Sequence, residues 1–114
     1  MNCATLYQRL GITEPQLIQF CQDTQIVEFA LFGSVLREDF RPESDIDILV
    51  TFAPECRLSL LGLIYIEQNL SEWLGREVDL VEKSTLEADR NWLRRAEILE
   101  NYQTLYESRS IVSA

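Results

Sequence analysis

Three aspartates in this chain stand where aspartates do nothing for a fold. Asp45 and Asp47 lie two apart at the head of Ile46-Asp47-Ile48-Leu49-Val50-Thr51-Phe52, and Asp79 interrupts Val78-Asp79-Leu80-Val81. On a strand, residues two apart point to the same face. Asp45 and Asp47 therefore project side by side, while Ile46, Ile48 and Val50 point into the core. Like charges held together repel, and a divalent cation between them relieves the repulsion. Oxygen ligands with no His or Cys beside them suit Mg²⁺ or Mn²⁺ better than zinc. With Asp79 on the same sheet face, the three carboxylates make a two-metal site, ions roughly 3.5–4 Å apart, for in-line phosphoryl or nucleotidyl transfer. A D-x-D pair on its own is most often a solvated strand end, so the third aspartate and an upstream turn carry the reading.

Gly33-Ser34 supplies that turn. Glycine lets the backbone approach an anion with no Cβ in the way. The N–H groups of Ser34 and Val35 would point at phosphate oxygens, with the Ser34 hydroxyl as a further donor. Arg37, three residues beyond Ser34, is a candidate phosphate contact, as is Arg41. Each could instead pair with Glu38, Asp39 or Glu43. Ser44 can fix the entry to the strand by bonding to backbone.

The elements that must position these residues follow from local signals. Thr13-Glu14-Pro15-Gln16 starts a helix: Thr13 caps, Pro15 fits the first turn, and Gln16 sits at the capping-box position. That helix carries Leu17, Ile18, Phe20 and Cys21 and stops near Gln25. Ile26 to Phe32 reads as a central strand ended by Gly33-Ser34. Ile46 to Phe52 is a second strand, stopped by Ala53-Pro54, and Val78 to Val81 a third. Leu58 to Leu74 has helical spacing through Leu63, Ile66, Leu70 and Trp73, with Gly75 after its end. Leu86 to Glu100 reads as one more helix, with Leu93, Ala96 and Leu99 along its stripe, and Tyr102 to Tyr106 as an edge strand. Trp73, Trp92, Tyr65 and Tyr102 are expected in the core, and Ser108–Ala114 as a short tail. The expectation is an α/β (α+β) domain over 1-114, a small mixed β-sheet with helices packed on one face.

Composition narrows the chemistry. Ten Lys plus Arg stand against nineteen Asp plus Glu, a net charge of −9. Binding nucleic acid rests largely on neutralising phosphates, so no direct nucleic-acid partner is expected, and a basic protein or a bound cation fits better. The absence of His removes Ser-His and Cys-His triads and imidazole ligands. Cys3, Cys21 and Cys56 form no C-x-x-C pair, which points to reduced thiols. Leu58 to Ile66 falls far short of the roughly 20 residues of a membrane span. No basic head with an apolar run opens the chain, and a cytoplasmic address is expected by elimination.

Spacing makes the glycine turn and the aspartates specific together. Ser34 is followed by ten residues and then Asp-x-Asp, the pattern G-S-x10-D-x-D, with Asp79 on a later strand. This resembles the signature of the DNA polymerase beta-like nucleotidyltransferases and, at this length, their minimal nucleotidyltransferase (MNT) group, the MntA-type antitoxins. The resemblance implies a polymerase beta-like fold and transfer of AMP from ATP with release of pyrophosphate. Asp45 and Asp47 would hold two Mg²⁺ ions and the triphosphate. Asp79 would complete the site and help to deprotonate or orient the attacking hydroxyl. Gly33 and Ser34 would hold the β- and γ-phosphates. It also implies a hetero-oligomer with a HEPN-family ribonuclease toxin, silenced by adenylylation of a tyrosine and by binding. Larger relatives carry further domains for primer, template or drug, so a second protein is expected to supply the acceptor. The rival readings are an antitoxin that acts by binding alone, a small-molecule nucleotidyltransferase with a separate substrate-binding subunit, and an acidic domain without chemistry. Arg90, Arg94 and Arg95 read as a solvated face with helical ion pairs, or as a contact to nucleotide or partner.

Overall fold

A computed structural model describes residues 2–108; most of the expected tail, residues 109–114, lies outside them. The chain runs α1 (Cys3–Leu10), α2 (Glu14–Thr24), β1 (Ile26–Phe32), a 3₁₀ turn (Gly33–Leu36), β2 (Ile46–Phe52), α3 (Leu60–Leu74), β3 (Val78–Glu82), α4 (Lys83–Glu87), α5 (Trp92–Glu100) and β4 (Tyr102–Glu107). The capping box at Thr13 is present in both directions, Thr13 N donating to Gln16 Oε1 at 2.9 Å and Gln16 N to Thr13 Oγ1 at 3.3 Å. Ser59 caps α3 through Gly62 N, which starts that helix two residues later than its apolar spacing suggests.

The four strands lie in the order β3-β2-β1-β4. β1 pairs antiparallel with β2 and with β4, while β2 and β3 run parallel, joined through α3. The mixed sheet and its edge strand at Tyr102 agree with the sequence. Alternation divides the strand side chains between two layers. Phe29, Leu31, Ile46, Ile48, Val50 and Leu80 join the larger core with Leu6, Leu17, Cys21, Ile66 and Leu70 of α1, α2 and α3. Each of these side chains contributes on the order of 1.5–3 kcal/mol on burial.

Four expectations are corrected. The helix α1 has no counterpart in the sequence reading: with only Leu6 and Leu10 buried, it offers little periodic signal and forms against the core, capped by Asn2 through Thr5 N. Helices cover both sheet faces, because Ala30, Phe32 and Leu49 pack against Leu86 of α4 and Ile98 of α5. The single helix expected over Leu86 to Glu100 is two. Asp89 Oδ1 accepts from Asn91 N and Asn91 Oδ1 from Arg94 N, so local side chains take donors that a continuous helix would use. Finally, Tyr65, Trp92 and Leu93 are exposed, and Trp73 is 37% exposed against the ring of Phe20. Helical spacing puts residues on one stripe, but the tertiary fold chooses which stripe is covered.

Candidate active site

The registers bring the aspartates together. Asp47 of β2 lies opposite Phe32 of β1 on one side and opposite Asp79 of β3 on the other, and Phe32 lies opposite Tyr102 of β4. A single row thus crosses the sheet as Tyr102, Phe32, Asp47, Asp79, on the face that α4 and α5 only partly cover. Asp45 sits one residue before β2, exposed, as is Asp79; Asp47 is half-buried.

Gly33 turns the chain out of β1 at φ +75°, and a Cβ built on it would collide with the Asp47 carboxylate and lie 3.0 Å from Asp47 Cγ. Glycine is required there twice over, for the positive φ and for the carboxylate lying against its backbone. The Ser34 hydroxyl donates to the Asp45 carbonyl oxygen at 3.4 Å. The two halves of the G-S-x10-D-x-D pattern therefore touch at both of its ends.

The ten-residue connection is held from outside. Arg9 of α1 donates to the carbonyl oxygens of Val35, at 2.8 Å, and of Arg37. Arg76, just before β3, donates to Arg41 O at 2.8 Å and Ser44 O at 3.3 Å. Both guanidiniums lie over the Phe40 ring, 5.2 and 4.5 Å from its centroid. Ser44 holds the entry to β2 as expected, its Oγ accepting from Arg41 N at 3.1 Å. On the far side of the row, Glu67 of α3 accepts from Leu80 N at 2.9 Å and so secures the strand that carries Asp79. Arg9, Arg76 and Glu67 gave no signal in the sequence, since each acts on backbone far away in the chain. The lone aromatic of a polar loop, Phe40, was the one available clue.

Electrostatically the row is under tension. The Asp47 carboxyl is held above its ordinary range, first by burial and then by the negative charges of Asp79 and Asp45, with Arg94 pulling the other way. Among the described residues no group of three Asp, Glu, His or Cys side chains closes around one point as an ion-holding cluster. The donors nevertheless fit a hard divalent cation: carboxylate oxygens only, mutually repelling, with Asp47 and Asp79 in register on adjacent strands.

Beside the row lies a cavity of about 720 Å³, lined by Gly33, Arg37, Arg94, Glu97, Asn101 and Tyr102 among others. The Tyr102 hydroxyl accepts from Lys83 Nζ at 3.0 Å. Arg37 thus lines the space next to the carboxylates, and neither it nor Arg41 forms an ion pair among the described residues; Arg94 pairs with Asp89 at 3.8 Å. Arg94 has its ion pair, and it also reaches the cavity.

Comparison with known proteins agrees with this geometry. Residues 15–105 match the nucleotidyltransferase domain family. The protein adenylyltransferase MntA of Thermococcus cleftensis is 46% identical over 61 residues, covering 54% of this chain and 60% of that protein. A Methanocaldococcus jannaschii protein provisionally named a protein adenylyltransferase is 42% identical over 62 residues, covering 54% of this chain and 61% of that one. The matched region thus spans about three-fifths of these relatives. Among solved structures, one provisionally named a minimal nucleotidyltransferase superposes with a TM-score of 0.60 at 28% identity, over 90% of this chain and 94% of that one. A chain of a toxin-antitoxin complex with AMP-PNP gives 0.65 at 24% identity, over 88% and 77%. A chain of the complex between a tri-AMPylated Shewanella oneidensis HEPN toxin and its MNT antitoxin gives 0.57 at 24%, over 87% and 73%. The sheet, the glycine turn set against Asp47 and the match over residues 15–105 agree: this chain belongs to the nucleotidyltransferase domain family and has the polymerase beta-like fold.

Proposed function

We propose that this chain is a cytoplasmic protein adenylyltransferase, an antitoxin that transfers AMP from ATP to a tyrosine of a HEPN-family ribonuclease toxin and so neutralises it. The observation that carries the reading is the register of Asp47 with Asp79, with the glycine of the G-S turn packed beneath the Asp47 carboxylate. It is supported by relatives named protein adenylyltransferases and by the likeness to a solved complex of MNT antitoxin with tri-AMPylated HEPN toxin.

In this reading Asp45, Asp47 and Asp79 would hold Mg²⁺, which would supply charge neutralisation for the triphosphate and the attacking oxygen. Gly33 and Ser34 receive the β- and γ-phosphates on backbone N–H groups, and Arg37 adds a cation from the cavity wall. Asp79 accepts or orients the proton of the acceptor hydroxyl. The hydroxyl oxygen bonds to the α-phosphorus, the bond to the bridging oxygen of the β-phosphate breaks, and pyrophosphate leaves. Positioning and charge neutralisation drive the step, with no covalent enzyme intermediate.

Incubating the chain with ATP, Mg²⁺ and a HEPN-family partner, followed by intact mass of both proteins, tests the proposal. The expected result is a gain of whole AMP units on the partner, lost in the Asp45→Asn/Asp47→Asn variant. A stable complex with no mass change under any nucleotide would overturn the enzymatic part and leave neutralisation by binding.

A further inference from the structure

Resting on the nucleotide site proposed above, we infer that Arg94 of α5 is a second cationic contact for the triphosphate, lining with Arg37 the cavity that Gly33 also borders. The chain as a whole repels anions, with nineteen acidic residues against ten basic ones, and the carboxylate row adds three negative charges beside the turn. A polyanion settles there only where the local sign reverses. The cavity provides that reversal: its lining carries two guanidiniums, Arg37 and Arg94, against one carboxylate, Glu97.

The three arginines of α5 and the turn before it differ in how far they are committed. Arg95 donates to the carbonyl oxygen of Asp89 and is tied to its own helix start. Arg90 is exposed and absent from the cavity wall. Arg94 has its backbone fixed by the Asn91 cap. Its charge also acts on Asp47, and among the described residues its guanidinium is ion-paired only with Asp89, at 3.8 Å, the two side chains 49% and 31% exposed. Such a solvent-screened pair is worth under about 1 kcal/mol. A phosphate is a stronger partner for a guanidinium, offering paired oxygens in matching geometry. Arg94 is therefore anchored at its backbone and weakly tethered at its tip, able to leave Asp89 for a ligand in the cavity.

Calorimetric titration of the full chain with ATP and with AMP, each with Mg²⁺ and no acceptor, tests the assignment. Arg94→Ala is expected to weaken ATP binding by about 10- to 100-fold, the range for a hydrogen bond to a charged group, and AMP binding far less. Arg94→Lys should retain part of the affinity and Arg94→Glu should fall below Arg94→Ala. Because the side chain is exposed, the melting temperature of each variant should stay near that of the wild type. Unchanged ATP affinity in Arg94→Ala, or equal losses for ATP and AMP, would overturn the assignment. A wild-type chain that binds neither nucleotide would instead refute the nucleotide site, and Arg94's role with it.

Discussion

Replacing Gly33 by alanine strikes the point where the turn and the carboxylate row meet, and its cost divides into two separable parts. The first is backbone strain, since Gly33 sits at φ +75°; an L-residue there loses roughly 1–2 kcal/mol. The second is steric. The new methyl would collide with the Asp47 carboxylate and lie 3.0 Å from its Cγ, so the side chain must leave its position. A side chain driven off its rotamer costs about 0.5–1.5 kcal/mol. The expected total is about 1.5–3.5 kcal/mol, or on the order of 6–15 °C in melting temperature for a domain of this size. Urea unfolding of four proteins checks it: wild type, Gly33→Ala, Asp47→Ala and the double variant. In the Asp47→Ala background the alanine should cost only the backbone part, leaving a coupling of about 0.5–1.5 kcal/mol between the sites. Additive effects would refute the contact, and a neutral Gly33→Ala would refute the turn geometry as well.

Other consequences can be checked directly. Burial and the neighbouring charges of Asp79 and Asp45 raise the Asp47 carboxyl above the ordinary 3.8, so its ionised form opposes folding. That opposition is fully present above the folded-state value and fades as pH falls through it. Asp47→Asn should therefore melt higher than wild type at pH 7, the gap closing as the pH falls toward 4; a gap that widens would contradict the tension in the row. Arg76→Ala removes two hydrogen bonds to the loop before Asp45 and the cation over Phe40. About 1–3 kcal/mol should be lost in denaturant unfolding, with a fall in turnover larger than any change in KM for ATP. Burial pushes the Cys21 thiol up to about 12, whereas Cys3 is exposed. Iodoacetamide at pH 8 followed by peptide mass mapping should label Cys3 in the native chain and Cys21 only after unfolding.

Much of the site was legible because its signals are local. The period-2 pattern of Ile46, Ile48 and Val50 against Asp45 and Asp47 assigns faces wherever the strand docks, and the Thr13 box and Gly75 stop are set by neighbours a few residues away. The break between α4 and α5 was also written locally, in Asp89 and Asn91, but an apolar stripe running through both segments masked it. The exposure of Trp92 and Leu93 had no local sign at all.

The sequence by itself determined which residues could do chemistry: a glycine turn, two aspartates sharing a strand face, a third breaking another strand, and no histidine to offer a different mechanism. Tertiary structure alone decided that Asp47 stands in register with Asp79. It also decided that the Asp47 carboxylate rests on Gly33, that Arg9 and Arg76 both grip the intervening loop and lie over Phe40, and that Arg94 shares a cavity with Arg37. The physical reason is one of range. Backbone periodicity fixes the direction of a side chain within its own element, whereas strand order, register and helix docking are fixed by burial summed over the whole core.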